Sequence, residues 1–172
     1  MTPQEFAALY PAVMAWIQQT LADHEHLATT VASKRFKRLP LYFAGELLET
    51  TKVVAVARVP TPPLSRMGLQ RFKEFEDRDY DGITYLNTFF LKHTAVSNEE
   101  LYFHELIHVI QWRLLGPERF LRLYADGLER FGYHDSALEK MAYNAKRKFS
   151  RSKQVFDAQR FVVQELRKMS AL

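Results

Sequence analysis

The chain has 172 residues, 47% hydrophobic and 26% charged, with a formal net charge of +4 at pH 7. That length suits one compact domain with a real core, and the composition excludes the disordered class. Cysteine is absent, which excludes thiol catalysis, disulfides, cysteine-held zinc and iron–sulfur clusters and leaves His, Asp or Glu to hold any metal.

Residues 4–30 read as an N-terminal helix, with Phe6, Leu9, Val13, Trp16, Ile17 and Leu21 at helical spacing and Pro11 as a break or late start. The opening residues lack the basic region and apolar core of a secretory signal, and no apolar run nears the roughly 20 residues of a membrane span. A cytoplasmic protein is expected. Lys34-Arg35-Phe36-Lys37-Arg38 is a basic cluster, matched later by Lys146-Arg147-Lys148 with Arg151 and Lys153. No nucleic-acid module accompanies either, so both read as solvated faces.

The β-branched run 52–59, ended by Pro60-Thr61-Pro62-Pro63, predicts a buried strand. Asp81-Gly82 opens a second strand, Ile83 to Leu91. The spacing then predicts helices over 98–115, 117–131, 136–149 and 152–169. The first is capped by Ser97 and Glu100, and Gly116-Pro117 and Gly132 act as stops. The expected architecture is α+β, a single domain of residues 1–172: a two- or three-stranded sheet beside a mostly helical C-terminal half.

The 98–115 helix contains His104-Glu105-Leu106-Ile107-His108. Residues i and i+4 share a helix face, so His104 and His108 can offer two imidazole nitrogens to one cation. Glu105 lies about 100° round the helix, within reach of a metal-bound water without being a ligand. This is the pattern of a zinc hydrolase: two ligands, a general base and an apolar scaffold. The long metzincin pattern needs Gly at 111 and His at 114, and Gln111 and Leu114 stand there instead. A gluzincin takes its third ligand from a later helix, and Glu139 fits. Ser136 and Glu139 also have capping-box spacing, and His134 and Asp135 are rival ligands outside that helix.

The segment Phe103 to Phe149 resembles small bacterial zincin-like metallopeptidases of the minimal gluzincin type. Its shared features are His-Glu-Leu-Ile-His-Val-Ile-Gln-Trp, Leu-Gly-Pro-Glu-Arg-Phe-Leu and Glu-Lys-Met-Ala-Tyr. The Gly82-Ile83-Thr84 strand is similar to the one preceding the metal helix there. The resemblance covers about the C-terminal half. It implies a zincin-like fold, Zn2+ held by His104, His108 and Glu139, and Glu105 as base. Tyr143 stands where thermolysin-type gluzincins place an Asp that orients a ligand histidine, so the groups around the ligands must differ.

The expected activity is zinc-dependent hydrolysis of a peptide or other amide, with Glu105 taking a proton from the attacking water and returning it to the leaving amine. An oxyanion donor is also needed. Tyr143, Tyr133, His134 and Arg113 are the candidates, and Tyr143 is placed with Glu105 among the catalytic residues. Gln111 faces the same side as His104. The alternative is a non-catalytic, metal-stabilised domain that binds a protein or anionic partner through its basic surface. Asp77-Arg78-Asp79-Tyr80-Asp81-Gly82 opens like a calcium loop, but Thr88 occupies the position of the bidentate Glu, so it reads as an acidic turn. His24 and His26 read as surface residues, and His93 follows a strand with no evident partner.

Overall fold

A computed structural model describes residues 1–152 and 154–170; Lys153 of the second basic cluster lies outside the described residues. The architecture is α+β. In chain order the elements are α1 (Pro3–Asp23), β1 (Thr29–Thr30), α2 (Gly45–Thr50), β2 (Lys52–Val56), α3 (Lys73–Asp77), β3 (Gly82–Tyr85), β4 (Thr88–Lys92), α4 (Glu99–Phe131), α5 (Ala137–Arg151) and α6 (Ala158–Lys168), with short 3-10 turns between some of them.

Helix α1 starts where Thr2 and Glu5 cap it reciprocally. It runs through Pro11, because Pro11 and Ala7 both face solvent and water can take the carbonyl that the proline leaves without a donor. It stops at Asp23, short of the expected residue 30, where the His24 ring bonds the Thr20 carbonyl at 2.8 Å.

The sheet has four strands in the order β1-β2-β4-β3. β2 and β4 are parallel, and β3 and β4 are antiparallel. The single strand expected over Ile83–Leu91 is therefore a hairpin. Leu86, at φ 58°, and Asn87 make its tight turn, a left-handed position that sequence alone would assign to glycine. β3 is left as the edge strand beside α4.

Helix α4 is capped by Asn98, whose side chain accepts the Leu101 N–H at 3.2 Å, and not by Ser97. Gly116, at φ 72°, ψ 163°, breaks its helical geometry where a stop and restart are expected. α6 begins after Asp157, which caps the Arg160 N–H at 2.8 Å, and so starts later than the expected residue 152. Tyr42 seals the junction, its ring edge-on to Phe103, Phe149 and Phe156. The core is the layer between the sheet, where Phe89, Phe90 and Leu91 are fully buried, and α4, α5 and α6. Among the described residues, no helix is long and apolar enough to cross a membrane.

Candidate metal centre

Every residue from Tyr102 to Trp112 is buried, so this stretch of α4 is covered all round. His104, Glu105, His108 and Gln111 cannot turn to water and must find partners inside. The structure brings His104 and His108 together with Glu139, from the first turn of α5. The two Nε2 atoms are 3.1 Å apart, and Glu139 Oε2 and Oε1 lie 3.3 Å and 3.4 Å from His104 and His108 Nε2. One donor atom from each residue lies within 4.8 Å of the others.

The start of α5 reaches this position because Gly127 has no side chain. A Cβ there would stand 2.7 Å from Ser136 Cβ. The capping role open to Glu139 is not taken up. Ser136 makes no side-chain cap and donates instead to the Tyr133 carbonyl at 3.1 Å, and the Glu139 carboxylate points to the histidines.

A second layer fixes two of the three donors. Gln111 Oε1 lies 2.7 Å from His108 Nδ1, and its amide nitrogen donates to the Leu138 carbonyl at 3.0 Å. With the amide so oriented, His108 Nδ1–H donates to it and the Nε2 lone pair faces the cluster. Tyr124 Oη donates to Glu139 Oε1 at 2.8 Å. Glu139 Oε2 and His104 Nδ1 have no hydrogen-bond partner although both are buried. A buried carboxylate whose two oxygens each face an imidazole nitrogen, one of them with no hydrogen-bond partner, fits a cation. Tyr143 offers His104 no acceptor like the expected Asp; its ring packs against the His104 ring at 4.7 Å.

The electrostatics of His108 and Glu139 follow the same geometry. Burial works against charge on His108, but the Glu139 carboxylate overrides it and raises the pKa to about 9. Burial pushes Glu139 up, and the two histidines more than reverse it, holding the carboxyl well below the usual range.

Glu105 lies beside the cluster, against β3. Thr84 Oγ1 donates to its Oε2 at 2.6 Å, and Trp112 Nε1 donates to the Thr84 carbonyl at 3.2 Å. Burial raises the Glu105 pKa, opposed by the charge of His104 and His108 and by the Thr84 bond.

Of the other residues named from sequence, His134 is exposed and faces Arg78, and Asp135 pairs with Lys140 at 3.0 Å. Neither joins the cluster. Arg113 donates to Thr50 Oγ1 at 2.7 Å and is exposed. Tyr133 is near Tyr80 and His134, with ring centroids at 5.1 Å from each. The acidic turn is held by Lys92, whose Nζ lies 2.7 Å from Asp79 and 3.5 Å from Asp81. Arg38 bonds the Phe149 carbonyl, which joins the first basic cluster to the end of α5. Thr84, Tyr124 and Gly127 carry roles that the sequence did not single out. No protein-family model, curated protein or solved structure matches the chain.

Proposed function

We propose that this chain is a zinc-dependent amide hydrolase of zincin-like type, acting on a peptide or protein. The observation that carries the proposal is the convergence of His104, His108 and Glu139 on one buried point with Glu105 held separately beside it. His104, His108 and Glu139 would hold the metal through two N donors and one O donor, the three-ligand set of a catalytic rather than a structural zinc. When bound there, zinc would lower the pKa of a water toward about 7 and polarise a carbonyl.

The remaining chemistry belongs to the chain's own residues. Glu105 accepts the proton of the attacking water on a carboxylate that Thr84 orients, then delivers it to the leaving amine. Burial raises the pKa of Glu105 above the usual carboxylate value, the direction that suits a group which must both take and return a proton. Tyr143, half-buried against His104, stands at the edge of the centre and is the proposed oxyanion donor.

One observation favours a second reading, a non-catalytic domain stabilised by its metal: His104, His108 and Glu139 are only 4%, 4% and 2% exposed. Glu105 favours catalysis, since a structural zinc needs no base. The two are separated by measuring zinc content and the hydrolysis of a peptide library by the native chain and by Glu105→Gln. One zinc per chain with hydrolysis lost in the variant is expected. Bound zinc with equal, background hydrolysis in both would establish the structural role, and no stoichiometric zinc would overturn both.

A further inference from the structure

Taken separately, the two basic clusters read as solvated faces, but the fold sets them side by side. Arg38 bonds the Phe149 carbonyl and lies over the Phe149 ring at 3.8 Å. A few residues on, the Ala158 N–H donates to the Tyr42 carbonyl at 3.0 Å. Two sequence-distant segments are thus tied together at two points. Lys34, Arg35, Lys37 and Arg38 are exposed on one of them. On the other Arg147, Lys148 and Arg151 are exposed and Lys146 is half-buried. Among the described residues, no carboxylate forms an ion pair with any of these cations. No acidic residue occurs in 26–45 or in 140–156. The whole chain is only +4, so elsewhere Lys and Arg are outnumbered by the 20 acidic residues.

The same region exposes hydrocarbon. Leu41 is 59% exposed and Val155 48%, and both line one cleft. Leu41 ends a 3-10 turn, Leu39–Leu41, in which side chains three apart eclipse. Leu39 and Tyr42 therefore face the core, where both are buried, and Arg38 and Leu41 face outward together. Val155 follows Arg151 by four residues, at most about 14 Å of extended chain. Each exposed aliphatic side chain thus comes directly after a basic cluster.

Either feature alone is ordinary, since single exposed apolar residues and solvated cations are common. Aliphatic side chains flanked by Lys and Arg match an anionic bilayer, which offers hydrocarbon to the first and negative headgroups to the second. A nucleic acid offers phosphates but nothing for Leu41 and Val155. The exposed residues of 34–44 and 146–158, among those described, also include no aromatic ring on which a base could stack.

We infer that this face binds the surface of an anionic membrane. Leu41 and Val155 enter the boundary between headgroups and acyl chains, and the two basic clusters meet the negative headgroups around them. The protein then lies on the bilayer without crossing it. Neither the metal centre nor the hydrolase reading is needed for this.

The test is co-sedimentation of the full chain, metal-free and zinc-loaded, with vesicles of phosphatidylcholine alone or with increasing phosphatidylserine. Binding is expected to rise with phosphatidylserine content and to weaken with added salt, alike in both preparations. Lys37→Gln and Arg147→Gln, one from each cluster, should each weaken it about fivefold, and Leu41→Asn on the order of tenfold. All three positions are exposed, and a native melting temperature in each variant shows that the loss comes from the surface. Because the chain has no cysteine, Val155→Cys gives a single labelling site. An environment-sensitive fluorophore there should shift to the blue on phosphatidylserine vesicles. Equal binding to vesicles with and without phosphatidylserine would overturn the inference, as would native binding by all three variants. So would a label that stays in water while the protein is bound, or an oligonucleotide that strips the protein from the vesicles at equal anion concentration.

Discussion

A β-carbon on Gly82 would stand 2.7 Å from Glu105 Oε1 and 2.8 Å from Leu91 Cδ2. The bare backbone at this position is what lets the Glu105 carboxylate lie against the edge strand. Gly82→Ala must therefore move Glu105, Leu91 or the strand, at a cost of about 1–3 kcal/mol for overpacking. The three atoms nearest that β-carbon belong to Glu105 and Leu91, not to the proposed metal donors His104, His108 and Glu139. The expected outcome is a lowered melting temperature, native zinc stoichiometry and strongly reduced hydrolysis. Unchanged turnover would show that the position of Glu105 does not matter.

Thr84→Val preserves the shape of the side chain and removes the hydroxyl that donates to Glu105 Oε2. The lost bond is a buried one to a charged group, about 1.5 kcal/mol or roughly tenfold in rate if it is intact in the transition state. Because that bond lowers the Glu105 pKa, its loss lets burial raise the pKa further. The acid limb of the kcat/KM profile should move to higher pH while zinc affinity stays at the native value. Thr84→Ser should restore both rate and profile. A drop in rate with no movement of the limb would point to a packing effect instead.

Tyr124 bonds the same carboxylate oxygen of Glu139 that faces His108. Partners that orient a metal ligand are typically worth 10–100-fold in metal affinity. Tyr124→Phe should weaken zinc binding by about that factor, measured by competition with a chromophoric chelator, and Glu139→Ala should weaken it further. Full zinc affinity in Glu139→Ala would remove Glu139 from the ligand set.

The parts of the site that the sequence made legible are those set by helical periodicity. His104, Glu105 and His108 lie on one helix, and their relative directions follow from a spacing of four and of one. Glu139 was legible as an acidic residue early in a later helix, but its double meaning as cap or ligand could not be resolved by spacing. Its direction depends on how closely α5 approaches α4, which Gly127 permits. Thr84 and Tyr124 were hidden for a similar reason. Their roles arise from packing between elements far apart in sequence, and a tyrosine on an apolar helix face gives no local sign that its hydroxyl has a partner. The hairpin at Leu86 was missed because its left-handed residue is not glycine or asparagine. The α+β class and the break at Gly116 depend on composition and backbone chemistry, and these were readable.

If the cluster holds the proposed zinc, the pairing of His108 with Glu139 gives stability and metal binding opposite dependences on pH. Without metal, the charged imidazole stabilises the fold, since its pKa rises from 6.5 to about 9. That contribution is complete below 6.5 and disappears as pH rises through about 9. The Glu139 pKa is lowered from 4.5, so its contribution is complete above 4.5 and disappears as pH falls. The metal-free chain should thus gain most from the pair between about pH 4.5 and 6.5 and lose that gain on either side. Zinc, by contrast, must displace the proton from His108 Nε2, so its affinity should climb about tenfold per pH unit below about 9. From pH 6.5 to 8.5 the pair's share of stability therefore falls in chelator-treated protein while the stabilisation given by added zinc grows. Melting curves across that range, with and without one equivalent of zinc, read both trends together. In Glu139→Gln the partner that raises His108 is gone, and the decline of the metal-free protein above pH 6.5 should flatten. A zinc-induced gain in melting temperature that shrinks as pH rises to 8.5 would place the metal elsewhere than on His108.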